Sequence, residues 1–153
     1  MKNFALCLVA LSMLAVLPAC SKAIKTEGVT GVITYNGEPL ADATVTFYGA
    51  DDFKWAVSGA TDASGVAKMH THGTYPGVPE GQYSVTITKN VVEKPEVDPN
   101  ASASLTISGG QAYDLVDAQF QTKDSTPLTI TVSGKTSEEF DVGAAVRDSV
   151  QAL

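Results

Sequence analysis

Gln82-Tyr83-Ser84-Val85-Thr86-Ile87-Thr88-Lys89 alternates aromatic or aliphatic side chains with hydroxyl-bearing ones. A period of two belongs to a pleated strand, whose successive Cβ atoms leave opposite faces; a helix needs apolar residues three and four apart. Tyr83, Val85 and Ile87 are therefore expected to face a core, with Ser84, Thr86 and Thr88 turned away from it. The wealth of Val, Ile, Thr and Tyr suits such a half-buried surface.

The same pattern recurs on either side. Val29, Gly31, Ile33 and Tyr35 fall on one face, against Thr30, Val32 and Thr34 on the other. Val45 and Phe47 alternate with Thr44, Thr46 and Tyr48, and Leu128, Ile130 and Val132 with Thr129, Thr131 and Ser133. Residues 66–70, 105–108 and 139–142 are shorter candidates. Between these runs stand turn formers: Asn36-Gly37, Asp62-Ala63-Ser64-Gly65, Pro76-Gly77 and Pro79-Glu80-Gly81. Gly and Asn accept positive φ, and Asp hydrogen-bonds its own backbone. Residues 91–104 carry two prolines and no period, which predicts a loop insert. Only residues 144–152 look helical, so the tail 143–153 is expected to be a short helix or to fray. Many short strands separated by turns predict an all-β domain, an antiparallel β-sandwich of about seven strands spanning residues 29–142.

The amino terminus reads differently. Lys2 precedes an almost wholly apolar run at positions 4–17, and Ala19 precedes Cys20. A positive start, a short apolar stretch and a small residue before the cut make a signal peptide, too short to span a bilayer comfortably. Leu17-Pro18-Ala19-Cys20 resembles the bacterial lipobox; Pro18 departs from the small or β-branched residue usual there. The resemblance implies removal of residues 1–19 and lipid attachment at Cys20, with residues 20–28 as a polar tether. Ser21, not Asp, follows Cys20; in lipoproteins this favours the outer membrane of the cell envelope. Cys7 leaves with the signal, so the exported body has no thiol for a disulfide and depends on its core. Several acyl chains at about 0.8 kcal/mol per buried methylene hold a protein firmly, where one holds it marginally.

Of 153 residues, removing the 19 of the signal leaves a length that suits one domain. The net charge of −7, with Arg147 the only arginine, argues against nucleic acid as a partner. It also disfavours lying flat on an anionic bilayer, so the membrane is expected to be reached through the lipid alone.

One stretch carries a family resemblance. Gly31-Val32-Ile33-Thr34-Tyr35-Asn36-Gly37-Glu38-Pro39-Leu40-Ala41-Asp42-Ala43-Thr44-Val45-Thr46-Phe47 is similar to the opening of carboxypeptidase regulatory-like domains. Thr61-Asp62-Ala63-Ser64-Gly65 and Gly81-Gln82-Tyr83-Ser84-Val85-Thr86-Ile87 match that family's turn and following strand. Ser125-Thr126-Pro127-Leu128-Thr129-Ile130-Thr131-Val132 and Phe140-Asp141-Val142 approach its closing strands, with Thr126 intervening. The resemblance implies a transthyretin-like, or Ig-like, sandwich over residues 29–142. It implies no activity, because one fold hosts unrelated functions.

Chemistry has few footholds. His70-Thr71-His72 places two imidazoles at i and i+2, on one face if the strand continues. That makes a weak metal-binding candidate, short of the three or four protein ligands of a zinc site. No Gly-x-Ser-x-Gly elbow and no phosphate-cradling glycine loop occurs, and no cofactor is implied. The expectation is a non-catalytic, lipid-anchored envelope module that binds or braces another envelope protein or a polysaccharide. The alternatives are a carbohydrate-binding lipoprotein with Phe53 and Trp55 as an exposed platform, and a metal binder through His70 and His72.

Phe53 and Trp55 are expected to close one end of the core, because a disulfide-free domain needs its large aromatics inside. Trp55 is the only tryptophan, so its fluorescence reports this site alone. Blue-shifted emission, slow acrylamide quenching and a loss of about 3–5 kcal/mol in Trp55→Ala are the expected results. Red emission that responds saturably to an oligosaccharide would instead favour the platform.

Overall fold

The computed structural model describes residues 24–49, 56–92, 112–146 and 148–149. Among these the chain is all-β, with strands in three sheets and a single 3-10 turn at Ala118–Phe120.

The larger sheet grows outward from the stretch read first. β8 (Gly81–Thr88) pairs antiparallel with β3 (Thr44–Gly49), so that Phe47 opposes Val85 and Val45 opposes Ile87. All four are fully buried, as the alternation predicts. On the far side of β3 lie β4 (Val57–Ala60), β6 (His70–Thr71) and β7 (Tyr75–Pro76). β11 (Thr129–Val132) closes the other edge along β8, burying Ile130 and Val132.

The smaller sheet is built on β1 (Val29–Tyr35). β12 (Thr136–Asp141) runs along one edge of β1. β5 (Val66–Lys68) and β2 (Glu38–Pro39) pair with it as well. The β1–β2 hairpin turns at Asn36 and Gly37, with φ of 49° and 75°; two left-handed residues match the twist of the flanking strands, which explains the Asn-Gly pair. Val29, Ile33, Ala67 and Phe140 from this sheet join Val45, Phe47, Val57, Val85 and Ile87 from the larger one in a single buried cluster. The two layers form a sandwich around it.

Four features depart from the sequence reading. First, β12 is parallel to β1, where an antiparallel sandwich is expected. The chain passes from β11 in the larger sheet to β12 in the smaller over residues 133–135, so the two strands are not joined by a hairpin and the whole domain is their crossover. Second, the strand expected over 66–70 divides at Met69: β5 belongs to the smaller sheet and β6 to the larger. Such a corner lets one strand serve two layers; with it and several short strands outside the alternating runs, the described residues hold thirteen segments where about seven strands are expected. Third, the insert expected over 91–104 starts as β9 (Asn90–Val92), which pairs with β10 (Ala112–Asp114). Fourth, the tail is not helical at β13 (Asp148–Ser149), which pairs with β10. The candidate strand at 105–108 lies outside the described residues.

Alternation leaves open whether the outer face of β8 is solvated. Thr86 sits on it, yet is only 4% exposed; the 3-10 turn, with Phe120 buried, also lies against β8. Thr126 closes the same edge: its Oγ1 donates to the Val85 carbonyl at 2.6 Å and accepts from Leu128 N–H at 3.2 Å.

Urea melts test both faces. Val85→Asp is expected to cost more than about 3 kcal/mol, since its carboxylate enters the core without a partner. Thr86→Asp should cost about 1–3 kcal/mol, and Thr131→Asp, on an exposed position of β11, about 0.5 kcal/mol or less. Equal effects at 86 and 131 would contradict the covered outer face.

Candidate functional site

The histidine pair comes apart at the backbone. His70 lies in β6 with Nδ1 3.0 Å from the Lys68 carbonyl oxygen. β6 ends at Thr71, and His72 opens the turn toward β7 with a φ of 52°. Its N–H donates to the Ala56 carbonyl at 2.7 Å. A residue in the left-handed region no longer continues the strand alternation, so the two imidazoles do not share a strand face as the sequence suggests. Among the described residues, no three His, Cys, Asp or Glu side chains are grouped to hold a metal ion.

Phe53, Trp55 and Cys20 lie outside the described residues. The larger sheet is left at Gly49, opposite Tyr83, and rejoined at Val57, opposite Phe47.

The carboxylates and hydroxyls of the turns and of the core are joined to backbone. Asp62 Oδ1 accepts from Ser64 N–H at 2.9 Å, Ser64 Oγ at 2.6 Å and Val66 N–H at 3.1 Å, shaping the turn into β5. The Ser64 hydroxyl, with help from the two N–H groups, holds the Asp62 carboxyl below the usual carboxylate range. Asp114, 5% exposed, accepts from Val116 N–H at 2.8 Å and Lys89 N–H at 3.1 Å, tying β10 to the end of β8. Thr61 Oγ1 accepts from Ala43 N–H at 2.7 Å. Thr71 Oγ1 donates to the Gly77 carbonyl at 2.8 Å. Each of these groups secures a turn or a crossing between layers.

The described part of the polar tether expected over 20–28 is docked on the body. Glu27 and Val78 form a two-way backbone bridge, each N–H donating to the other's carbonyl at 2.8 Å. Thr26 Oγ1 donates to the Pro76 carbonyl at 2.8 Å. Lys25 Nζ lies 2.7 Å from Glu80 and 3.2 Å from Glu27. Hydrogen bonding to Glu80 first, then to Glu27, keeps its ammonium charged above the usual lysine range. From Lys25 onward the tether is part of the folded body. Backbone bridging leaves no periodic signature, which is why the sequence hides it. The available signals were Pro76-Gly77 and the separated charges Lys25 and Glu80.

No known protein family, no curated protein and no solved structure matches the chain.

The Asp62 turn makes a pH-dependent contribution with a definite sign. Its carboxyl is depressed in the folded state, so the stabilisation is complete above the unfolded-state carboxylate pKa and is lost as pH falls through the lower folded value. Asp62→Asn should therefore be less stable than wild type at neutral pH. The difference between the two melting curves should shrink on acidification below about pH 4. A difference that does not change with pH would show that the carboxylate charge plays no part in the turn.

Proposed function

We propose that the chain is a lipid-anchored, non-catalytic protein of the cell envelope. Its transthyretin-like sandwich would be a module that binds or braces another envelope component, protein or polysaccharide. The observation that carries this reading is the apolar run closed by Leu17-Pro18-Ala19-Cys20. It is followed within five residues by a segment that docks on the sandwich. An export signal ending in an acylatable cysteine, joined directly to a folded β-body, is the plan of a lipoprotein.

Two further facts support it. The exported body has no cysteine besides Cys20, so a lipid thioether has no competing thiol. The buried threonines and Asp114 satisfy backbone groups of the body itself, which fits a scaffold more closely than a reaction centre. Ser21 directs the proposal to the outer membrane.

Cys20→Ser is expected to abolish lipid modification and to release the body from membranes, since an acidic domain with a single arginine has no other strong hold on a bilayer. Membrane fractionation with mass spectrometry of the amino-terminal peptide tests it. An unmodified Cys20 in the mature wild-type protein would overturn the reading.

A further inference from the structure

We infer that the end of the sandwich carrying Lys25–Glu27 and Pro76–Glu80 is the pole that faces the lipid surface, and that the docked tether sets the domain's orientation and stand-off. This rests on the lipid attachment at Cys20 proposed above.

The docking is anchored in the core on both sides of one residue. Gly77 carries a φ of 95°, and a Cβ there would lie 2.4 Å from the Glu27 carbonyl oxygen and 3.2 Å from Thr26 Cβ. Glycine is what allows the tether to lie against this backbone. Gly77 N–H donates to the Met69 carbonyl at 2.9 Å, and its carbonyl accepts from buried Thr71. Two residues on, the Pro79 carbonyl accepts from the Tyr83 hydroxyl at 2.7 Å. The receiving segment is thus fastened to β6 and β8, and its position follows the core.

Chain length does the rest. Ser21, Lys22, Ala23 and Ile24 are the residues between Cys20 and Lys25. Five Cα steps reach at most about 18 Å. A compact domain of this size has a radius of gyration near 14 Å, so a diameter of roughly 35 Å. An undocked tether over 20–28 would reach roughly 30 Å, long enough for the body to turn a flank toward the surface; the docked one holds this pole down. β1 rises away from it, and its seven residues place the Asn36–Gly37 turn about 20 Å further out. Charge adds little to this orientation, since Lys25 is met by Glu27 and Glu80.

The lipidated full-length protein, reconstituted in phosphatidylcholine vesicles bearing a headgroup-linked quencher, tests the inference. Single-cysteine variants Gln82→Cys, beside the proposed pole, and Glu38→Cys, at the far end of β1, are each labelled with a thiol-reactive fluorophore; both positions are exposed. Quenching should be about twofold stronger at 82 than at 38, since Glu38 pairs with the end of β1, about 20 Å beyond the strand's start. Ten Gly/Ser residues inserted between Ala23 and Ile24 should bring the two values together while the melting temperature is unchanged. Mass spectrometry of the amino-terminal peptide separates the outcomes. A lipid on Cys20 with equal quenching at both positions overturns the orientation and leaves the anchoring intact. An amino-terminal peptide without lipid overturns both.

Discussion

Every strand of the smaller sheet is hydrogen-bonded to β1. β12 occupies one edge, and β5 and β2 pair along it as well. In a body without a disulfide, the sandwich exists only while two layers remain pressed together, and one layer is organised by a single seven-residue strand. Ile33, fully buried, brings that strand into the same cluster as Phe47, Val85 and Ile87 of the larger sheet. Loss of β1 would leave β2 without its partner and β5 with only its bridge to Thr61, and would expose the inner face of β8 and β3. The parallel pairing with β12 joins the two ends of the domain across this strand, so closing the sheet requires nearly the whole chain to be in place.

β1 is also where the domain meets its tether. Glu27 bridges Val78 immediately before the strand begins, and Val29, the first residue of β1, is buried and accepts from Met69 N–H at 3.2 Å. Met69 is the corner at which the chain leaves the smaller sheet for the larger. The docked segment 25–27, the hub strand and the crossing between layers are therefore neighbours in space. Under the proposed anchoring, any force on the lipid would reach the core through this junction.

What could be read in the sequence follows from what repeats. β1, β3, β8 and β11 carry the alternation along most of their length, so their inward faces were legible, from Val29 and Ile33 to Ile130 and Val132. Asn36-Gly37 and Asp62 announced their turns through backbone chemistry specific to those residue types. The hidden features depend on long-range backbone pairing, which needs no particular side chain: the parallel partnership of β1 and β12, the division at Met69, the strand at 148–149 and the docking of 25–27. The burial of Thr86 was hidden for a related reason. Alternation tells which face a residue takes and not whether that face is covered, and Thr86 is only 4% exposed. Of the candidate sites, the histidine spacing was visible and its splitting was not, since nothing in His70-Thr71-His72 forecasts a left-handed residue in place of a third strand position.

The account stands on β1 as an integral hub of the fold, and native-state hydrogen exchange tests this most directly. Ile33 N–H donates to the Gly65 carbonyl at 2.8 Å, Val142 N–H to the Thr34 carbonyl at 3.0 Å, and Val85 N–H, in the larger sheet, to the Leu128 carbonyl at 2.9 Å. If β1 holds the smaller sheet to the core, the amides of Ile33 and Val142 should exchange only through global unfolding, with the same opening free energy and denaturant dependence as that of Val85. Exchange at Ile33 and Val142 through a local opening of much lower free energy, with Val85 still protected, would contradict the account, because the smaller sheet would then be a detachable layer.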